Sequence, residues 1–121
     1  MNLLYKSTRD AEKTVTASQA ILKGLADDGG LFVPVSIPKL PVSLGELKEM
    51  TYQEIAYTVM KEFLTDFTEE ELKSCIAKAY DSKFDTEEIA PLAKLEDAYY
   101  LELFHGATIA FKDMALSILP H

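Results

Sequence analysis

Two identical helix-start signals constrain this sequence most strongly. Thr51 and Glu54 form one Thr-x-x-Glu capping box, and Thr68 and Glu71 form another. In this arrangement each side chain accepts a hydrogen bond from the other residue's backbone amide. Apolar residues at helical spacing follow each box, namely Ile55, Val59, Phe63 and Leu64 after the first, and Leu72, Cys75, Ile76, Ala79 and Tyr80 after the second. The sequence therefore predicts two packing helices, over 51–63 and 68–80.

Short extended segments are expected on both sides of these helices. In the N-terminal part we expect strands over 2–8 and 31–33, the second ended by the first of three prolines in the irregular connector 34–41. Proline lacks the amide that a sheet requires, and it pushes the preceding residue into an extended conformation. Towards the C-terminus, 92–95 and 99–103 are expected to pair as a hairpin.

A third helix is predicted early in the chain, over residues 14–26. Thr16 or Ser18 can serve as its N-cap, because a hydroxyl accepts hydrogen bonds from the free amides at a helix start. Its end is predicted at 27–30, where two glycines follow two aspartates. Glycine readily adopts the left-handed conformation that closes helices.

One lysine stands out in the C-terminal segment. Lys112 follows a turn marked by Gly106 and lies in an otherwise apolar stretch, although lysine is among the residues least often buried. Thr108 is the expected N-cap of a last helix that runs through Phe111 to Leu119. If Lys112 is sheltered from water, its neutral amine becomes available as a nucleophile or base. The alternative is an ordinary exposed lysine whose stem lies along apolar neighbours.

The charge balance disfavours two classes of partner. The 121 residues carry 20 acidic and 12 basic side chains, whereas nucleic acids and anionic membranes attract basic surfaces. No apolar run approaches the roughly 20 residues that span a bilayer, and the N-terminus lacks the apolar core of a signal peptide. We therefore expect a cytoplasmic protein that binds neither nucleic acid nor membrane.

Few other constellations point to chemistry. The histidines His105 and His121 and the single Cys75 do not have metal-ligand spacing, so no metal site is expected. No glycine-rich nucleotide-binding motif is present. The run 7–9 brings two hydroxyls and a guanidinium together, which suits an anion, with an exposed charged loop as the alternative.

Three segments, in this order, resemble threonine synthase, a family of pyridoxal-phosphate enzymes. They are 5–9 (Tyr-Lys-Ser-Thr-Arg), 24–34 (Gly-Leu-Ala-Asp-Asp-Gly-Gly-Leu-Phe-Val-Pro) and 101–113 (Leu-Glu-Leu-Phe-His-Gly-Ala-Thr-Ile-Ala-Phe-Lys-Asp). The last is similar to the cofactor-lysine motif of the family. Two positions depart from the family pattern: Ala107 stands where proline is usual, and Asp10 where glycine often follows the arginine. Because proline pre-sets φ, Ala107 could loosen the turn before the lysine.

The resemblance implies a lyase of threonine biosynthesis. The family eliminates phosphate from O-phospho-L-homoserine and adds water at the β-carbon, which gives L-threonine. By this resemblance Lys112 is the catalytic and cofactor-binding residue, which holds pyridoxal 5'-phosphate (PLP) as a Schiff base and carries protons once substrate releases it. His105 and Thr108 either line the pocket or hold the turn. Asp113 either sets the protonation of the lysine or caps the helix, and we favour the cap.

The resemblance also implies a fold and a domain boundary. The chain is similar to the first quarter of a threonine synthase, which implies an α+β fold. Residues 1–98 would form a mainly helical N-terminal domain with short strands, and 99–121 would be the first strand and helix of an α/β PLP-binding domain. The cofactor-phosphate loop of the family and most of its substrate pocket lie further along. The 121 residues alone are therefore expected to be an inactive fragment.

Two alternatives to threonine synthase share these residues. One is a threonine-synthase-like PLP phospholyase that acts on a related phosphorylated amino acid and uses the same lysine motif. The other, from a different class of protein, is a free-standing interaction module whose acidic helices form a partner surface.

Overall fold

A computed structural model describes residues 2–121, in which helices and short strands are mixed. In chain order the elements are β1 (Tyr5–Ser7), β2 (Thr14–Val15), α1 (Ala17–Lys23), β3 (Phe32–Pro34), α2 (Leu44–Leu47), α3 (Tyr52–Phe63), α4 (Glu69–Ala79), β4 (Leu92–Leu95), β5 (Ala98–Leu101) and α5 (Asp113–Leu116). The α+β character predicted from the sequence is confirmed. The short helix α2 has no counterpart among the predicted elements.

The chain divides into two compact units, each built from two stretches of sequence. The first comprises the residues through Ser43 together with Thr58–Leu72, and the second comprises Leu44–Tyr57 and Lys73–His121. The helices α3 and α4 each contribute residues to both units. The domain boundary after residue 98, which the resemblance implies, stays a prediction.

A three-stranded antiparallel sheet organises the first unit, with strand order β2-β1-β3. Tyr5 in the central strand lies opposite Val15 on one side and Pro34 on the other. Proline has no backbone amide to donate to a neighbouring strand, and it is therefore tolerated in an edge strand such as β3. The predicted strands near residues 2–8 and 31–33 are confirmed with adjusted ends, and the proline-rich connector is irregular, as expected.

The predicted start of the first helix is wrong by three residues. Thr14 and Val15 pair with β1 instead, because β-branched residues suit an extended strand. Thr16 is the N-cap of α1 and forms a capping box with Gln19, whose side chain accepts from the Thr16 amide at 3.0 Å. Ser18 therefore has another role, and its amide and hydroxyl donate to the Asp66 carboxylate at 3.0 and 2.6 Å.

The predicted end of this helix is also wrong. The helix α1 ends at Lys23, and Gly24 follows with φ 75° and ψ −76° while its amide donates to the carbonyl of Ala20. The next amide, that of Leu25, donates to the carbonyl of Lys23 at 3.0 Å, so Gly24 is the centre of a tight γ-turn. The Asp-Asp-Gly-Gly run closes a later loop and does not terminate the helix.

Both capping boxes predicted for the long helices are confirmed. The amide of Thr51 donates to Glu54 at 2.8 Å, and the amide of Glu54 donates back at 3.3 Å. The corresponding distances between Thr68 and Glu71 are 2.8 and 3.2 Å. Four members of the apolar stripe along and just after α4 are buried, namely Leu72, Ile76, Ala79 and Tyr80.

Tyr80 anchors the core of the second unit. Its ring meets Tyr52 edge-on with centroids 5.0 Å apart and lies beside Phe84 at 5.9 Å. Its hydroxyl donates to the carbonyl of Met114 at 2.7 Å, and burial raises the pKa of Tyr80 to about 12. This contact joins the end of α4 to α5, which follows directly after Lys112.

Candidate active site around Lys112

The segment before Lys112 is a series of turns and not a helix. Residues 106–112 are turns and bends, and α5 has only the four residues Asp113–Leu116. The predicted helix from Thr108 through Leu119 is therefore wrong, and Thr108 is not its N-cap. The preceding hairpin is confirmed, with Leu92 opposite Leu101 and Leu95 opposite Ala98, although its second strand covers 98–101 and not the predicted 99–103.

Lys112 is exposed to solvent at the N-cap position of α5. Its amine makes no hydrogen bond or ion pair with any of the residues 2–121. These residues therefore do not shelter Lys112 from water. Within residues 2–121 its side chain is an exposed amine without a polar partner.

The carboxylate of Asp113 is turned back towards the loop that precedes it. Asp113 is only 7% exposed, and its two oxygens accept from the amide of Thr108 at 2.8 Å and from the Thr108 hydroxyl at 2.6 Å. No side chain caps α5 by a hydrogen bond at its N-cap, so the favoured assignment of Asp113 as a helix cap is wrong. A buried carboxylate needs donors, and Thr108 supplies two of them from the loop.

Gly106 is required by the same contact. A Cβ atom added at Gly106 would lie 2.5 Å from the Cβ of Asp113 and 2.6 Å from its Oδ2, which is far inside van der Waals contact. The carbonyl of Gly106 also accepts from the amide of Ile109 at 3.1 Å. Ile109 has φ 65°, a left-handed conformation that is rare for a β-branched residue. The loop is therefore tightly closed.

His105 lies between two carboxylates. Its Nδ1 is 2.5 Å from Oδ1 of Asp85, and its Nε2 is 2.7 Å from Oε2 of Glu102. These hydrogen bonds, to Glu102 first and then to Asp85, raise the pKa of His105 above its ordinary value. The imidazolium form can donate to both carboxylates, whereas a neutral ring has only one N–H. His105 thus links Glu102, the residue after β5, to Asp85 just before the lysine loop.

Some of these partners could be read from the sequence and others could not. Glu102 precedes His105 by three residues, so their contact has a local signal. Asp85 is twenty residues from His105, and no sequence pattern marked it. The packing contact between Gly106 and Asp113 also has no signal in the sequence beyond the turn that the glycine predicts.

Two residues of the run 7–9 form hydrogen bonds with Asp28 in the same unit. The Ser7 hydroxyl donates to Oδ1 of Asp28 at 2.7 Å, and the guanidinium of Arg9 donates to the Asp28 carbonyl at 2.9 Å. The amide of Gly30 donates to the same Oδ1 at 2.8 Å. The hydrogen bonds from Ser7 and then Gly30 hold the pKa of Asp28 below its ordinary value. Two of the three resemblance segments are thus interlocked, and this run has a structural role.

A concave surface in the second unit does not contain the candidate residues. This groove of about 850 Å³ is lined by residues from 50–55 and 80–90. None of His105, Thr108, Lys112 and Asp113 is among its lining residues. Residues 2–121 contain no cluster of three or more potential metal ligands. No helix in this range is long and apolar enough to cross a membrane.

Comparison with known proteins identifies relatives for almost the whole chain. A family model described as "Threonine synthase N terminus" matches residues 4–80. Threonine synthase from Schizosaccharomyces pombe is 43% identical over 119 residues, which are 95% of this chain and 23% of that protein. Human Threonine synthase-like 1 is 41% identical over 122 residues, which are 93% of this chain and 16% of that protein.

The fold is also similar to that of solved structures. The structure of PLP-bound threonine synthase from Brucella melitensis matches with a TM-score of 0.86 and 32% identity, over 98% of this chain and 26% of that one. The chain spans about a quarter of the length of the threonine synthases that it matches.

Proposed function

The chain belongs to the threonine synthase family, and from this we propose that it forms the N-terminal part of a PLP-dependent lyase that makes L-threonine. The proposed substrates are O-phospho-L-homoserine and water, and the products are L-threonine and phosphate. Lys112 is the residue that we propose holds the cofactor. We also propose that the reaction takes place in the cytoplasm.

The observation that supports Lys112 is a free amine on a closed loop. An amine can attach to the aldehyde of PLP only if the aldehyde can reach it, and a carboxylate partner would favour the unreactive ammonium form. Lys112 is exposed and has no partner among the described residues, so it fits this requirement. The cofactor, when bound, supplies an electron sink for the negative charge that develops at the substrate Cα.

The chain's own residues have three proposed tasks. The Nζ of Lys112 holds the cofactor and, once released, takes the proton from the substrate Cα. Asp113 and Thr108 hold the loop that carries the lysine. His105 fixes the start of that loop through its two carboxylate partners. We therefore assign His105, Thr108 and Asp113 to the support of the lysine, and not to contact with substrate.

The test compares Lys112→Ala with Lys94→Ala in the full-length protein that carries this chain. Lys94 is a matched control, since it is also exposed and lies in the nearby hairpin strand β4. We expect Lys112→Ala to lose the absorbance of covalently held PLP and the formation of threonine, while Lys94→Ala retains both. Normal PLP attachment in Lys112→Ala would overturn the assignment.

The similarity to human Threonine synthase-like 1 favours one second candidate. This is a phospholyase that releases phosphate from a related phosphorylated amino acid without making threonine. The two candidates share Lys112, so only the products separate them. Incubation with O-phospho-L-homoserine should yield threonine and phosphate in equal amounts, whereas phosphate released without threonine would favour the phospholyase.

A further inference from the structure

Lys112 and Asp113 are neighbours in sequence but have opposite environments. Lys112 is exposed, whereas Asp113 is buried and accepts two hydrogen bonds from Thr108. The two side chains form no ion pair with each other, and the lysine has no partner within residues 2–121. Asp113 therefore cannot act as a counter-ion to the amine in this arrangement.

The Asp113 carboxylate closes the loop that precedes the lysine. Both of its oxygens are occupied by one residue, Thr108, so the chain from 108 to 113 forms a ring that the carboxylate completes. Gly106 packs against the Cβ and carboxyl atoms of Asp113, in a space that no larger residue could share. Asp113 thus contacts the preceding loop at two places, at Thr108 by hydrogen bonds and at Gly106 by packing.

The same loop holds a residue in an unfavourable conformation. Ile109 has φ 65°, and a β-branched residue adopts that conformation only where the surrounding structure imposes it. The hydrogen bonds of the Thr108 and Ile109 amides, to Asp113 and Gly106, lie on either side of this strained backbone position. If the hydrogen bonds between Asp113 and Thr108 were lost, this backbone could relax. The orientation of the Lys112 side chain relative to the loop would then change.

We propose that Asp113 is a positioning residue for Lys112. It fixes the conformation of the 106–112 loop through its contacts with Thr108 and Gly106, and the loop in turn sets the orientation of the Lys112 side chain. This inference rests on the proposed function, because it assumes that Lys112 is the cofactor lysine. Asp113 touches neither substrate nor cofactor in this scheme. Its effect is geometric, and it does not depend on the negative charge.

A pair of substitutions separates geometry from charge. Asp113→Asn removes the charge but keeps one oxygen to accept from the Thr108 amide and one amide group to donate to the Thr108 hydroxyl. Asp113→Ala removes both hydrogen bonds. A positioning role therefore predicts that Asn is much milder than Ala, whereas a charge effect on the lysine predicts that the two are equally harmful.

The first measurement is independent of activity. Hydrogen exchange at the Thr108 amide, followed in the full-length protein without PLP, should be at least about tenfold faster in Asp113→Ala, because its hydrogen bond is lost. Asp113→Asn should stay near wild type. Asp97→Ala, which removes an exposed carboxylate in the hairpin turn, is the control and should change nothing. Unchanged exchange in Asp113→Ala would overturn the proposal, whatever Lys112 does.

The second measurement uses the PLP-loaded protein. Asp113→Ala should lower kcat at least about tenfold, while KM for O-phospho-L-homoserine stays within about threefold of wild type. The orientation of the lysine affects the reacting step more than substrate binding. Asp113→Asn should restore most of kcat and keep the wild-type pH profile. An Asn variant as slow as Ala, with a displaced pH profile, would show a charge effect and overturn the proposal.

Two substitutions at Thr108 are milder and serve as a test if Asp113→Ala does not fold. Thr108→Val removes only the hydroxyl donor, and Thr108→Ser keeps it, so Val should lower kcat and Ser should restore it. Loss of PLP attachment in Lys112→Ala tests the proposed function separately. If Lys112→Ala still attaches PLP, the assignment of Lys112 in the proposed function is wrong. The exchange results at Thr108 would still support the contact between Asp113 and the loop.

Discussion

At Gly30 the packing admits only a hydrogen atom as a side chain. A Cβ atom there would lie 2.1 Å from the Ser7 hydroxyl and 3.0 Å from both the Asp28 carboxylate and the Thr8 hydroxyl. These three side chains form the hydrogen bonds that join β1 to the loop before β3. The Ser7 hydroxyl cannot move aside without breaking its bonds to Asp28 and to the amide of Arg9.

Gly30→Ala should therefore destabilise the protein by about 1–3 kcal/mol, the range for forced overpacking. Urea unfolding followed by circular dichroism measures this loss. Gly45→Ala is the control, since Gly45 is exposed within α2 and alanine there should stabilise by about 0.5–1 kcal/mol. If the two variants had equal stability, the crowding inferred at Gly30 would be wrong.

His105 makes stability depend on pH in a direction that can be worked out. Its folded-state pKa is raised by Glu102 and Asp85, so its contribution is fully present below the unfolded value of about 6.5. That contribution is lost as pH rises through the raised folded-state pKa, because the neutral ring can donate to only one carboxylate.

We expect His105→Gln to be less stable than wild type at pH 6, with a difference that shrinks towards pH 9. Urea midpoints measured across this range test the trend. His121→Gln replaces the other histidine, which is exposed, and its midpoints should follow those of wild type. A difference that grew with pH would contradict the two-carboxylate arrangement.

At the scale of elements, the predictions succeeded where the stabilising contacts are local. The capping boxes of α3 and α4 join residues three apart, and the hairpin joins strands separated by a two-residue turn. The ends of α1 and α5 were wrong because distant contacts competed with the local signal. Thr14 and Val15 pair with β1, and Thr108 bonds to Asp113 where a helix start was expected.

Thr68→Ala should lower the stability by about 1 kcal/mol, the typical value of an N-cap side chain. Ser74→Ala is the matched control in the same helix, because Ser74 is exposed in the middle of α4 and alanine has the higher helix propensity. Urea unfolding compares the two, and hydrogen exchange should show faster opening of the first turn of α4 in Thr68→Ala alone. Equal stability of both variants would argue against the capping box.

At the scale of the whole molecule, we expect the described residues to offer PLP little contact. Lys112 is exposed, and the candidate residues do not line the groove of the second unit. Ligand sites usually bury most of the ligand in a concave pocket. Apolar side chains close to Lys112 in the sequence are also exposed, including Phe111 at 67% and Ile109 at 72%.

We therefore expect the 121 residues by themselves to bind PLP weakly, with half-saturation above about 1 mM, which corresponds to about 4 kcal/mol of binding free energy. Absorbance titration of the chain with PLP measures this. Tight binding that disappears in Lys112→Ala would contradict the expectation and would show that these residues form a sufficient site.

The sequence by itself determined the two capped helices, the hairpin, the α+β character and the position of Lys112 within its motif. Each of these depends on residues a few positions apart or on a recognisable run. Only the tertiary structure decided that Asp113 turns back to Thr108, that Asp85 reaches His105 and that Asp28 joins the run 7–9. Buried or half-buried polar groups must find hydrogen-bond partners wherever the fold brings them, and sequence spacing carries no record of those partners.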